Sequence, residues 1–203
     1  MNRFDEIYLG TPPWEIGRAQ ETFVRLASEG TITGRVLDAG CGSGENALHI
    51  AERGYEVTGI DGAAAAIEKA RSKARQRGLA TRATFVHGDA LELGALGQAF
   101  DTAIDCGLFH VFSDEERPRY ARSLATALRP GGRLLLLCFS EAEPGDWGPR
   151  RVTRDEIRAA FGDRFRVEAI EPSRFIANID SGFARAWLAR LVCAAATPGA
   201  AKP

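Results

Sequence analysis

A chain of 203 residues, 45% hydrophobic and 26% charged, has an ordinary globular make-up. That excludes disorder and fits one domain, 1–203, burying roughly 70% of its unfolded surface. A net charge of −1 supplies no broad basic field for nucleic acid, and no apolar run approaches the ~18 residues of a membrane span. The expected partner is therefore a small molecule.

Four cysteines, Cys41, Cys106, Cys138 and Cys193, lie far apart with no C-x-x-C pair, and MNRFDEIYLG lacks the apolar core of a secretion signal. Reduced thiols in the cytoplasm are expected, not disulfides or zinc. The three histidines, His49, His87 and His110, make no ligand set by spacing, so no metal is expected.

Residues 1–34 form a leader. Phe4, Ile7 and Tyr8 suggest a short amphipathic piece that Gly10-Thr11-Pro12-Pro13 terminates. Trp14 follows, then a helix carrying Phe23, Val24, Leu26 and Ala27. Residues 35–46, RVLDAGCGSGEN, are the centre of the chain. Val36, Leu37 and Ala39 around Asp38 read as a strand buried on both faces. Gly40, Gly42 and Gly44, with Cys41 between the first two, form a turn, and Ala47, Leu48, Ile50 and Ala51 open a helix. Such a junction binds ligands because backbone can approach closely and helix N–H groups point outward. Dinucleotide sites want G-x-G-x-x-G for a pyrophosphate. Here the spacing is G-x-G-x-G, and Asp38 would repel a pyrophosphate but attract an ammonium or sulfonium group.

The second strand, 56–61, ends in Asp61, 21 positions after Gly40, where an acid can accept both ribose hydroxyls; Gly62 follows it. Asp61 could also cap the helix expected over 63–77, which Gly78 closes. The third strand is 83–87, ending at Gly88-Asp89-Ala90, and Asp89 is a natural cap for a short helix at 91–96. The fourth strand, 100–105, runs into Cys106-Gly107 and FHVF at 109–112. In open parallel sheets ligands lie off the strands' carboxyl ends where strand order reverses, so this strand end should face that of the first. Ser113 and Glu116 start the next helix as a capping box, and Arg129-Pro130-Gly131-Gly132 ends it. RLLLLCF at 133–139 is the fifth strand, 140–152 a loop with Trp147, and Thr153-Arg154-Asp155-Glu156 a helix start. Phe165, Val167 and Ala169 alternate as the sixth strand. Periodicity leaves 183–193 open between helix and strand, and 194–203 should fray.

D-x-G-x-G-x-G at 38–44 resembles the cofactor loop of the class I S-adenosylmethionine-dependent methyltransferases. YLGTPPWEIGRAQ at 8–20 resembles the N-terminal segment of the thiopurine and thiol S-methyltransferase type among them. The resemblance implies an α/β, Rossmann-like fold: a seven-stranded, mostly parallel sheet with an antiparallel last strand (183–193) and helices on both faces. The core is then 35–193. The implied cofactor is S-adenosyl-L-methionine, held by Asp38, the glycine turn, Asp61, Asp89 on the adenine amino group, the Ala90 backbone and the backbone near Cys106. Trp14 becomes a lid over it, with a leader anchored on the core as the alternative. FHVF would line the acceptor pocket.

The implied reaction moves a methyl group to a sulfur, nitrogen or oxygen of a small thiol or heterocycle by a monomer or homodimer. Positioning alone can supply ~7–11 kcal/mol of the barrier. His110 is the candidate base, with packing or hydrogen bonding as its alternative. A catechol-type magnesium site lacks carboxylates. Three rivals compete. A nicotinamide-dependent oxidoreductase would share Asp61 but not Asp38. A non-catalytic S-adenosylmethionine-binding regulator would need no acceptor pocket. A nucleic-acid or protein methyltransferase would want basic charge, or N-P-P-[YF] where Asp105-Cys106-Gly107-Leu108 stands.

Overall fold

The computed structural model describes residues 6–8 and 10–194; Phe4 and the expected fraying of 195–203 lie outside these. Seven strands form one sheet: β1 (Val36–Ala39), β2 (Val57–Asp61), β3 (Ala83–His87), β4 (Phe100–Cys106), β5 (Leu128–Phe139), β6 (Phe165–Ile176) and β7 (Phe183–Cys193). Their spatial order is β3-β2-β1-β4-β5-β7-β6. The first five pair in parallel, and β7 runs antiparallel to both β5 and β6. Strand order therefore reverses between β1 and β4, and ligands are expected at their carboxyl ends. Every residue of β1 is buried, as a strand covered on both faces demands.

Among the described residues five helices cover the sheet: α1 (Glu21–Ser28), α2 (Glu45–Glu52), α3 (Ala64–Gln76), α4 (Glu116–Ala127) and α5 (Arg154–Phe161). Alternation along β5 divides the core. Leu135 and Leu137 pack with Phe23 and Leu26 of α1, Leu48 of α2 and Ile67 of α3. Leu134 and Leu136 face the other way, with Tyr120 and Leu124 of α4 and Ile157 and Phe161 of α5. The expected capping box is formed, and the helix start expected at Thr153 turns out to be a second one. Ser113 and Glu116 exchange backbone bonds ahead of α4, and Thr153 and Glu156 do so at the start of α5.

Two strand bounds differ from expectation. β5 begins at Leu128, not at 133: Leu128 pairs with Phe100, and a register shift before the Thr102–Arg133 pair absorbs Arg129-Pro130-Gly131-Gly132. β6 continues to Ile176 because β7 pairs with it along its length. Pro172 is tolerated there because β6 is an edge strand with no partner on its outer side.

Candidate active site

The turn after β1 is built from backbone. Gly40, Gly42 and Gly44 have φ of 70°, 54° and 88°. At Gly42 the absence of a side chain is a packing requirement, because a Cβ would stand 2.5 Å from the Tyr8 hydroxyl. The Gly40 and Cys41 N–H groups donate to the Ile60 carbonyl at 2.8 and 3.0 Å. Gly42 N–H donates to Asp61 Oδ2, and Asp61 Oδ1 accepts from Ala63 N–H, both at 2.8 Å. Asp61 thus ties the turn to the start of α3.

Asp38 lies inside, wholly buried, and among the described residues no donor reaches its carboxylate oxygens with full hydrogen-bond geometry. Burial pushes its carboxyl up to about 8, Asp105 and Asp61 push it the same way, and the Ala47 backbone N–H opposes them. A buried acid so sparsely served carries a large desolvation cost, which a cationic ligand would offset. This carboxyl fits a positively charged cofactor and does not fit a pyrophosphate.

Asp105, missed as a functional residue, pairs across from Ala39. Its oxygens accept from Leu108 N–H at 2.8 Å, Phe109 N–H at 3.1 Å and Tyr120 Oη–H at 2.8 Å. It thereby pins the 3-10 turn Phe109–Val111 to the end of β4. Burial raises its carboxyl to about 7 against those hydrogen bonds. Cys106, half-buried beside it, has its thiol pushed up by burial, so it is no thiolate nucleophile.

His110 sits on this turn, 6% exposed. Its Nδ1 accepts the Phe139 backbone N–H at 3.1 Å. The ring packs edge-on to Phe139 at 5.0 Å and tilted to Phe175 at 6.0 Å. Burial, then Arg117 and Arg151, lower its pKa to about 3. The base expected at His110 therefore has one nitrogen already engaged and little affinity for a proton. Phe139 also meets Phe175 at 5.4 Å and Trp147 at 5.5 Å. Arg151 holds the Trp147 loop by donating to the carbonyls of Glu143, Pro144, Trp147 and Pro149.

The remaining expected residues fall around this centre. Asp89 is exposed, and its Oδ1 caps the Ala90–Leu96 turn by accepting from Leu91 N–H at 2.8 Å. Ala90 is buried behind it. Gly62 is exposed, with its carbonyl 3.2 Å from His87 Nε2. Trp14, 36% exposed, donates through Nε1 to the Tyr8 hydroxyl at 3.0 Å, so it reaches the glycine turn through Tyr8. Glu15 accepts from Ser43 of that turn. Asn178 Nδ2 donates to the Glu15 carbonyl at 3.0 Å, and Asn178 N–H to the Pro13 carbonyl at 2.7 Å. The leader thus lies directly on the turn. Tyr8 and Glu15 stood inside the 8–20 segment that pointed to a lid; Asn178 carried no sequence signal.

Comparison with known proteins agrees with this geometry. Residues 36–132 match the model of a methyltransferase domain. The chain is 39% identical over 171 residues to the 2-heptyl-1-hydroxyquinolin-4(1H)-one methyltransferase of Mycobacteroides abscessus, spanning 83% of this chain and 75% of that protein. It is 29% identical over 170 residues to thiocyanate methyltransferase 1 of Brassica oleracea, spanning 82% and 74%. A structure solved in work on the conversion of a disulfide bond into a thioacetal group during echinomycin biosynthesis superposes with a TM-score of 0.86 at 36% identity, covering 94% of this chain and 92% of that one. An acid-backed glycine turn at the β1–β4 reversal, on this fold and among these relatives, places the chain in the class I S-adenosylmethionine-dependent methyltransferases.

Proposed function

We propose that this enzyme methylates a small, planar heteroaromatic or thiol acceptor on sulfur, nitrogen or oxygen, and that the acceptor rests among His110, Phe139, Phe175 and Trp147. One observation carries the reading: that aromatic group stands at the carboxyl ends of β4 and β5, on the sheet edge that also bears the glycine turn. A flat apolar ring gains most from such walls. The quinolone and thiocyanate relatives support the same acceptor class.

When bound, the cofactor supplies an electrophilic methyl on a positively charged sulfur. Asp38 gives the counter-charge, and the turn through Gly40, Cys41, Gly42 and Gly44 lets backbone approach it. Asp61, with Gly62 beside it, receives the ribose hydroxyls. Asp89 and the Ala90 N–H address the adenine, and the backbone at Cys106 addresses the methionine end. Trp14 closes over the site through Tyr8. The protein's main contribution is to hold the acceptor in line with the methyl. A net charge of −1 supplies no broad basic field and so favours a small acceptor over nucleic acid, and the four free thiols suit the cytoplasm. Among the described residues no helix is long and apolar enough to cross a membrane.

The test is incubation with cofactor labelled in its methyl group and a panel of heteroaromatic hydroxyls, thiols and amines, with mass detection of one added methyl. Transfer to ring hydroxyls or thiols is expected. Transfer to none of them would overturn the reading and return the regulator alternative to first place.

A further inference from the structure

The Phe139 backbone N–H can only donate, so the lone pair it meets on His110 Nδ1 fixes the tautomer: in the neutral ring the proton sits on Nε2. No described residue accepts a hydrogen bond from that Nε2. It lies 3.2 Å from the point where a Cβ on Gly107 would stand, and Phe175 Cε2 lies 2.9 Å from the same point. A Cβ at Gly107, whose φ is 85°, would therefore crowd both the Nε2–H donor and the Phe175 edge. That donor stands just past the carboxyl end of β4, where the acceptor is placed.

We propose that His110 is a fixed hydrogen-bond donor to the methyl acceptor, its Nε2–H gripping an anionic or carbonyl oxygen at or beside the atom to be methylated. This rests on the heteroaromatic-acceptor reading above and narrows it to acidic ring hydroxyls and oxo-heterocycles. The charges acting on the ring are Arg117 of α4 and Arg151 of the loop before α5. Both oppose a second proton on His110, and both attract an anion. Asp105 accepts from the Leu108 and Phe109 N–H groups just ahead of His110, and Asp38 lies on β1 beside β4; these two acids suit the cationic cofactor. The acceptor's own lone pair would form the bond to the methyl as the sulfur–methyl bond breaks with its electron pair left on sulfur. An acceptor entering as its anion therefore leaves neutral, and the sulfonium leaves as a neutral thioether. The acceptor's proton has already gone to solvent, and none passes through His110.

Two measurements test this. In protein labelled with nitrogen-15 histidine, the His110 signals should report a protonated Nε2 and a bare Nδ1 from pH 5 to 8; an imidazolium or an Nδ1–H tautomer at pH 7 would overturn the assignment. In kinetics, ring hydroxyls whose own pKa values span about two units should give kcat/KM profiles whose midpoints move with the acceptor. His110→Gln keeps a donor and should keep those midpoints. His110→Phe keeps the volume without the donor and should lose about 10–100-fold, with cofactor affinity by calorimetry unchanged as the check on folding. A midpoint shared by all acceptors and abolished in His110→Gln identifies a base and overturns this assignment alone. Turnover of no acceptor overturns the heteroaromatic reading, and the donor assignment with it.

Discussion

Binding of S-adenosylmethionine to this chain should release a proton, and the proton should come from Asp38. The carboxyl is wholly buried, only the Ala47 backbone N–H eases the cost of its charge, and it titrates near 8. At pH 7 roughly nine-tenths of the free protein therefore carries it protonated. A cationic ligand needs the carboxylate, so each pH unit below 8 costs about 1.36 kcal/mol of binding. At pH 6 the penalty reaches about 2.7 kcal/mol, or ~100-fold in Kd. Asp105 titrates nearby, but three donors already serve it, so Asp38 is the group left to respond. Calorimetry at pH 7 in two buffers of different ionisation enthalpy counts the protons. About 0.9 is expected at pH 7 and almost none above pH 9.

The same shift has a stability consequence of opposite value to the protein. The folded pKa of Asp38 lies above its ordinary 3.8. The unfolded chain thus loses this proton near pH 4 and the folded chain near 8, so stability falls as pH rises across that window. At pH 9, Asp38→Asn should therefore stabilise the free protein by at least about 1 kcal/mol, or ~2–4 °C in Tm, while weakening cofactor binding and abolishing proton release. A Kd flat from pH 6 to 8 with no proton released would refute the claim that Asp38 meets a cation.

Three further outcomes are expected. Asp61→Ala should weaken cofactor binding by at least tenfold in calorimetry, since it removes the ribose acceptor and the two bonds that hold Gly42 and Ala63; unchanged affinity would reject the ribose role. Trp14→Phe keeps a ring but deletes the bond to the Tyr8 hydroxyl. It should raise cofactor Kd several-fold with Tm nearly unchanged, whereas a lower Tm at constant Kd would make Trp14 an anchor and not a lid. Gly107→Ala puts a methyl against Phe175 and His110 at a left-handed φ. It should cost about 1–3 kcal/mol of stability and raise the acceptor KM at least tenfold at constant cofactor Kd; an equal loss of cofactor affinity would contradict the placement of the acceptor.

What could be read from the sequence was whatever local chemistry determines. Val36, Leu37 and Ala39 around one acid can only be a doubly covered strand, and the glycines at 40, 42 and 44 can only be a turn. The Ser113–Glu116 and Thr153–Glu156 pairs announce helix starts because both partners of each bond lie within four residues. The reach of β6 to Ile176 was hidden because it comes from pairing with β7, not from its own alternation. The Arg129-Pro130-Gly131-Gly132 stretch read only as the end of a helix because a register shift between paired strands has no local signature.

The same distinction explains the site. Asp38 and Asp61 announced themselves by their distance from glycines, whereas the weight of Asp105 depends on donors from Phe109 and Tyr120 that only the folded turn brings to it. His110 is the sharpest case. A lone histidine at a pocket edge reads as a base, since an unconstrained imidazole accepts a proton near neutrality. The backbone N–H that argues against that reading belongs to Phe139, 29 residues further along on β5. Whether this imidazole gives or takes a hydrogen therefore turns on the pairing of β5 beside β4, which the residue type alone does not record.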